Sequence, residues 1–269
     1  MVMSISKTEE RVVPEKFESK EEYLVYLRHL FAYELAKDKI SKNSIVLELG
    51  CGEGYGTNLL SQNVGKIVGL DIERSVILGA SEKYKSRNCI FQLYDGVRIP
   101  YQDSTFDAVI SFQVIEHVQD DISYVSEIYR VLKRNGLLML TTPNKTYRLR
   151  PGQNPWNRFH IREYYSHELE NILKTKFSDV KLWGIRGNKE VEGIERQRVK
   201  QPARIISFLR KVMPEPLEIV IIRVLKRIAR RKQKSQNGED FLSKYGLRDY
   251  YVIQDNVVDS LDLLGICRK

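Results

Sequence analysis

Two groups of residues in this 269-residue chain have types and spacings suited to chemistry. The first is Gly50, Gly52, Gly54 and Gly56, spaced by two, with Glu48 just ahead of them. Glycine adopts backbone angles that a side chain forbids and lets a ligand approach the main chain closely, so this run reads as a loop that holds a cofactor. It is not a dinucleotide loop of the G-x-G-x-x-G form, because Tyr55 stands where the third glycine would be when counted from Gly50. A carboxylate at Glu48 would repel a pyrophosphate and could favour a ligand carrying an ammonium or sulfonium group. The second is a set of rival candidates for proton transfer, His117 on one hand and the substrate-side His160 and Glu163 on the other. His117 leads them as a candidate general base, because it follows an apolar run directly and an unperturbed histidine titrates near neutral pH.

Short apolar runs ending in turns supply the elements that position these groups. Ile45–Leu49 precedes the glycines and Lys66–Asp71 follows them at the distance of a strand, helix, strand unit. Cys89–Tyr94 runs into Asp95 and Gly96; Thr105–Phe112 runs into Gln113–Val118; Tyr129–Leu137 runs into Leu138–Asn144. Five such segments, in this order, resemble the class I S-adenosylmethionine-dependent methyltransferases of the type 11/23-like subgroup, whose first motif reads hhDhGxGxG with Glu48 at the position of the acid. Methyl transfer asks such a protein to hold the acceptor in line with the methyl–sulfur bond, exclude water and, for a hydroxyl, remove a proton.

The resemblance implies an α/β, Rossmann-like sheet of seven strands in the order 3-2-1-4-5-7-6, with strand 7 antiparallel and helices on both faces. It implies a cofactor site built from Arg28, Glu48, Gly50, Cys51, Gly52, Gly54, Asp71, Ile72, Asp95, Gly96, Gln113 and Val114. Within it, Asp71 would accept from both ribose hydroxyls and Asp95 from the adenine amino group, while Cys51 is a small residue inside the turn and more a matter of packing. Arg28, in Arg28-His29-Leu30-Phe31-Ala32, matches an R-Y-x-F-A helix whose arginine meets the cofactor carboxylate. The stretch from Asn157 to Tyr164, with His160 and Glu163, is similar to an N-P-F-H-x-x-E-(Y/F) element of methyltransferases from polysaccharide and glycan pathways; Arg158 replaces the proline. The acceptor expected from this is an oxygen of a sugar, a glycan, a lipid-linked compound or another small molecule.

Bulk properties suit one substantial core with an addition. Cys51, Cys89 and Cys267 are too few and too widely spaced for a disulfide framework or a zinc site, and Glu116 with His117 offers only two ligands, so no metal is expected. The first residues lack a basic region followed by an apolar core, and no stretch reaches the roughly 20 apolar residues of a membrane span, so the expected location is cytoplasmic.

The net charge of +9 is concentrated in one place. Residues 195–234 carry thirteen Lys or Arg against three acids, a local charge of +10, which leaves −1 for everything else. This predicts a division into a tail at 1–19, a methyltransferase core at 20–194 beginning with a helix over Lys20–Lys37, a basic helical insert at 195–245 and a closing strand within 246–269. The insert falls between a sixth strand at Val180–Ile185 and a seventh at Leu261–Cys267. Inside it, Leu217, Val220, Ile221, Val224, Leu225 and Ile228 recur at helical spacing, and Pro214 and Pro216 separate them from an earlier apolar group. A solvated basic face, peripheral contact with an anionic membrane or lipid-linked substrate, and a nucleic acid are all compatible with such a helix. Methylation of a nucleic acid through the insert and a cofactor-binding module without turnover are the alternatives to a small-molecule or glycan methyltransferase.

Overall fold

The computed structural model describes residues 14, 17, 19–84, 86–155, 157, 159–199 and 241–269. Helix α1 (Lys20–Lys39) starts where the Ser19 side chain accepts from the backbone N–H of Glu22, with Glu21 and Glu22 in its first turn and Lys37 and Lys39 in its last. Those charges complement the helix dipole at both ends. Strand β1 (Ile45–Leu49), helix α2 (Tyr55–Ser61), strand β2 (Lys66–Asp71), helix α3 (Arg74–Lys83) and strand β3 (Cys89–Leu93) form the first half of the fold. The second half holds β4 (Phe106–Phe112), α4 (Asp121–Val131), β5 (Leu132–Pro143), α5 (Lys145–Arg148), α6 (Ser166–Lys174) and β6 (Asp179–Gly187). A helix through 189–199, α7, then β7 (Tyr250–Ile253) and β8 (Asp262–Arg268), complete it.

The strands make one sheet in the order β3-β2-β1-β4-β5-β8-β6-β7. β1 pairs in parallel with β2 on one side and β4 on the other. The chain thus winds outward from β1 to β3 and then returns to the other side of β1. The crevice at the C-terminal ends of β1 and β4 is the switch point at which open α/β sheets bind ligands.

The sheet has eight strands where seven were expected. The expected seventh is β8, which runs antiparallel between β5 and β6. The addition is β7, a four-residue edge strand antiparallel to β6 and pairing Tyr250 with Gly187 and Ile253 with Gly184. It lies within 246–269, where a single strand was anticipated. Aromatic and β-branched residues suit it for an edge.

Alternation along the strands sorts side chains onto two faces. Val46, Ile67, Ile110 and Met139 face α1 with Leu24, Ala32, Tyr33 and Ala36. Leu47, Leu49, Val68, Val109 and Leu138 face the other way, toward Val125 and Ile128 of α4 and Leu169 and Leu173 of α6. Glu48, between Leu47 and Leu49, therefore points to the α1 side. Helix α7 buries Val191, Glu195 and Val199, so the chain packs on the body through residue 199. Beyond residue 240, Tyr245 and Tyr250 are buried, and the Tyr250 hydroxyl donates to the Leu24 carbonyl in α1. Residues 200–240, with most of the basic run and its apolar helical pattern, lie outside the described residues, as does Arg158. No helix among the described residues is long and apolar enough to cross a membrane.

Candidate functional site

The glycine loop leaves β1 and folds back on β2: the N–H groups of Gly50 and Cys51 both donate to the Leu70 carbonyl. Gly50, Gly52 and Gly54 have φ of +71°, +51° and +77°, a region that disfavours any side chain. Space separates them further. A Cβ on Gly50 would lie 2.4 Å from Val114, and one on Gly54 2.7 Å from the Phe91 ring, whereas one on Gly52 would meet nothing within 4 Å. Gly50 and Gly54 let protein pack against the loop, and Gly52 presents bare main chain to open space. Gly56, already in α2, makes room for the Tyr33 ring of α1. Cys51 is buried against Gly69, and burial pushes its thiol well above the usual range, which suits packing.

Below the loop, the Glu48 carboxylate is 1 % exposed and accepts from the hydroxyls of Tyr33 and Thr57, each at 2.5 Å. Glu48 thus ties α1 and α2 to β1. Burial raises its carboxyl to about 7, against the two hydroxyls that favour the charged form.

Asp71, at the end of β2, accepts from Gly52 N–H at 3.0 Å through one carboxylate oxygen and from Glu73 N–H at 3.0 Å through the other. It joins the loop to the start of α3. Each oxygen keeps a further lone pair for a ligand hydroxyl. Next to it Ile72 is 46 % exposed, and Leu93 and Val97 are exposed at the end of β3. Gly96 lies under Ile72, where a Cβ would be 3.1 Å from its methyl. Asp95 is exposed, and the N–H groups of Val97 and Arg98 hold its carboxyl below the usual range. Asp71 and Asp95 thus stand at and just after the ends of β2 and β3, next in the chain to the exposed apolar side chains of Ile72, Leu93 and Val97.

On the other side of the crevice Gln113 ends β4 with φ +58°, an uncommon conformation for a non-glycine residue. Its N–H donates to the Thr141 carbonyl, and its side chain to the Thr141 hydroxyl at 3.3 Å. Val114 follows and packs on Gly50. A 3-10 turn, Ile115–His117, comes next.

Glu116 in that turn is fully buried; one carboxylate oxygen accepts from the Thr142 hydroxyl at 3.0 Å, and the other has no hydrogen-bond partner among the described residues. Burial raises its carboxyl, although His160 and His117 oppose this. The Glu116 carbonyl accepts from the N–H groups of Ile161 and Arg162, and the Phe159 carbonyl lies 2.9 Å from Nδ1 of His117. The loop at 159–163 is thereby docked on the turn after β4. It brings His160 edge-on to His117, with ring centroids 4.9 Å apart. Nδ1 of His160 lies 2.8 Å from Glu163, whose other neighbour is Arg148 at 3.1 Å. The three proton-transfer candidates thus fall in one cluster. Glu116 and Thr142 join them, and no local sequence signal marks Thr142.

Arg28 takes a different place from the one expected. It is 4 % exposed, with Nε 2.8 Å from Asp262 and Nη1 3.2 Å from Glu195. These carboxylates hold its guanidinium protonated despite burial. Burial alone would raise Glu195, but Arg198 and Arg28 hold it down to about 2. In this structure Arg28 binds β8 and α7 to α1.

Residues 47–140, from β1 through β5, match the sequence model of a family described as a methyltransferase domain. Residues 47–140 of this chain thus carry a methyltransferase domain. A protein of Mycolicibacterium smegmatis named "probable S-adenosylmethionine-dependent methyltransferase" is 34% identical to it over 169 residues, covering 62% of this chain and 63% of that one. The malonyl-(acyl-carrier protein) O-methyltransferase of a Marinomonas species is 26% identical over 170 residues, or 55% of this chain and 61% of that one. This chain therefore spans less than two thirds of either relative. Among solved structures, a SAM-dependent methyltransferase of Thermotoga maritima superposes with a TM-score of 0.57 at 14% identity, over 92% of each chain, which shows a shared fold. The cofactor of this domain family is S-adenosylmethionine, and the residues present fit it. Gly52 leaves a cradle that a Cβ would enter, Asp71 has acceptor capacity for a diol, and Ile72 and Asp95 flank the space beyond.

Proposed function

We propose that this methyltransferase domain transfers a methyl group from S-adenosylmethionine to an oxygen of a polar acceptor, a sugar, glycan or lipid-linked compound. One observation carries the reading. Val114 seats on the cofactor loop at Gly50, and two residues later Glu116 and His117 begin a polar cluster that His160 completes. The cofactor supplies an electrophilic methyl group on a sulfonium, so the chain has to orient the acceptor and remove its proton. His117 and His160 are the groups at hand for the proton. Glu163 is a positioning residue that acts through His160. An O-methyltransferase among the relatives supports oxygen as the acceptor atom, and the +10 charge of residues 195–234 supports an anionic or lipid-linked acceptor presented at an anionic surface.

Calorimetry with S-adenosylmethionine tests the donor, and labelled-methyl transfer to a cell extract, with the product identified by mass spectrometry, tests the acceptor. A methylated hydroxyl on a glycan or lipid-linked product is the expected result. Absence of cofactor binding would overturn the whole reading; label in nucleic acid, lost on deleting residues 196–234, would overturn the acceptor.

A further inference from the structure

We propose that Glu116, His117 and His160 form a binding site for a borderline divalent first-row metal ion such as Zn²⁺ or Co²⁺. One donor atom from each residue lies within 4.8 Å of the others, and Glu116 and His160 are buried. The sequence offered two adjacent ligands, Glu116 and His117; the third arrives from a loop more than forty residues away.

The state of each ligand supports the assignment. A buried carboxylate oxygen without a partner is costly, and Glu116 has one. Its other oxygen is fixed by Thr142, which leaves the unpartnered one as the atom a cation would take. Both imidazoles are oriented through Nδ1. A carbonyl can only accept, so Nδ1 of His117 carries the proton opposite Phe159 and its Nε2 carries the lone pair. The Glu163 carboxylate, salt-bridged to Arg148, accepts from Nδ1 of His160 in the same way. A carbonyl or carboxylate behind the non-ligating ring nitrogen is the usual support of a metal-bound histidine.

Two neutral imidazoles and one carboxylate suit Zn²⁺ and its first-row neighbours better than Mg²⁺ or Ca²⁺, which prefer all-oxygen shells. Donors around such an ion sit about 2.0–2.2 Å from it, which puts them about 3.4 Å apart, so donors up to 4.8 Å apart close the set by side-chain movement of about 1 Å. Three protein ligands leave a coordination position open. With an ion bound, His117 and His160 would serve as its ligands in place of proton acceptors; the ion would lower the pKa of an acceptor hydroxyl held at the open position, whose proton would pass to solvent. The binding claim itself stands apart from the proposed acceptor, since it is read without cofactor or substrate.

The full chain, stripped of metal by a chelator, is titrated with Co²⁺ and followed by visible d–d absorption, then competed with Zn²⁺. The expected result is one Co²⁺ per chain, displaced by Zn²⁺. Glu116→Gln and His160→Asn should each weaken binding by more than about 100-fold, and Glu163→Gln, which removes only the support, by about 10–100-fold. Circular dichroism and melting of each variant report whether it folds. In the unmutated protein, Zn²⁺ should perturb the imidazole NMR signals of two of the four histidines, a readout independent of any variant. Failure to bind Co²⁺, unchanged affinity in folded Glu116→Gln and His160→Asn, or perturbation of His29 or His167 instead would overturn the site.

Discussion

Val114 occupies the space that a side chain at Gly50 would need: a Cβ there would come within 2.4 Å of a Val114 methyl, on a backbone whose φ is +71°. The β4 side of the crevice and the cofactor loop are therefore in direct contact. Gly50→Ala combines a steric overlap with a disfavoured backbone angle, and each is worth about 1–3 kcal/mol. A lower melting temperature and S-adenosylmethionine affinity reduced at least about tenfold are expected by calorimetry. Adding Val114→Ala should restore part of the stability, because it removes the overlap and leaves the angle.

Asp71 is the hinge pin of the same loop, joined to Gly52 and Glu73 by backbone hydrogen bonds. Asp71→Ala removes both, together with the acceptor for a ligand diol. Affinity for S-adenosylmethionine should fall by at least about tenfold, on the order of 1.4 kcal/mol. Unchanged affinity would place the cofactor elsewhere.

The buried Glu48 makes stability depend on pH. Its folded value of about 7 lies above the ordinary 4.5, so the folded state holds the proton more tightly. The contribution is fully present below about pH 4.5 and is lost as pH rises through about 7. On the order of 3 kcal/mol is at stake. Chemical denaturation at about pH 5.5 and about pH 8.5 should show the wild type losing stability with rising pH relative to Glu48→Gln. Parallel curves for the two proteins would show that Glu48 stays charged throughout.

Arg28 predicts a mainly structural phenotype. Removing it leaves Asp262 and Glu195 as buried carboxylates without their shared partner, and breaking a buried pair costs about 3–5 kcal/mol. Arg28→Met should lower the melting temperature sharply, in the presence or absence of S-adenosylmethionine.

His117→Asn tests the chemistry. It keeps a polar side chain after β4 and removes the imidazole. Methyl transfer should fall about 100-fold or more, while cofactor affinity by calorimetry changes little. Equal losses in both would make His117 a part of the cofactor pocket.

Much of this was legible because it is local. The glycine loop, Asp71 and Asp95 stand at the ends of apolar runs, and a strand that stops at a turn can be read from one stretch of chain. Where partners lie far apart in sequence the reading failed. Tyr250–Ile253 is too short to announce itself, and it becomes a strand by pairing with β6. The salt bridges of Arg28 depend on β8 and α7 arriving beside α1, which no spacing around residue 28 encodes. His160 and Glu163 were picked out as single residues, but their convergence on Glu116 requires the docking of 159–163 onto the turn after β4. Glu48 reads as a cofactor contact by position, whereas the alternation of β1 turns it toward Tyr33 and Thr57.

The placement of β8 has a consequence for synthesis. It lies between β5 and β6, both of which leave the ribosome before it. Until β8 arrives, the inner edges of β5 and β6 expose unpaired backbone groups, and such edges invite pairing with another nascent chain. The nascent protein thus passes through an interval in which its sheet is open at the middle rather than at the rim, and chaperone demand should peak just before residue 262 emerges.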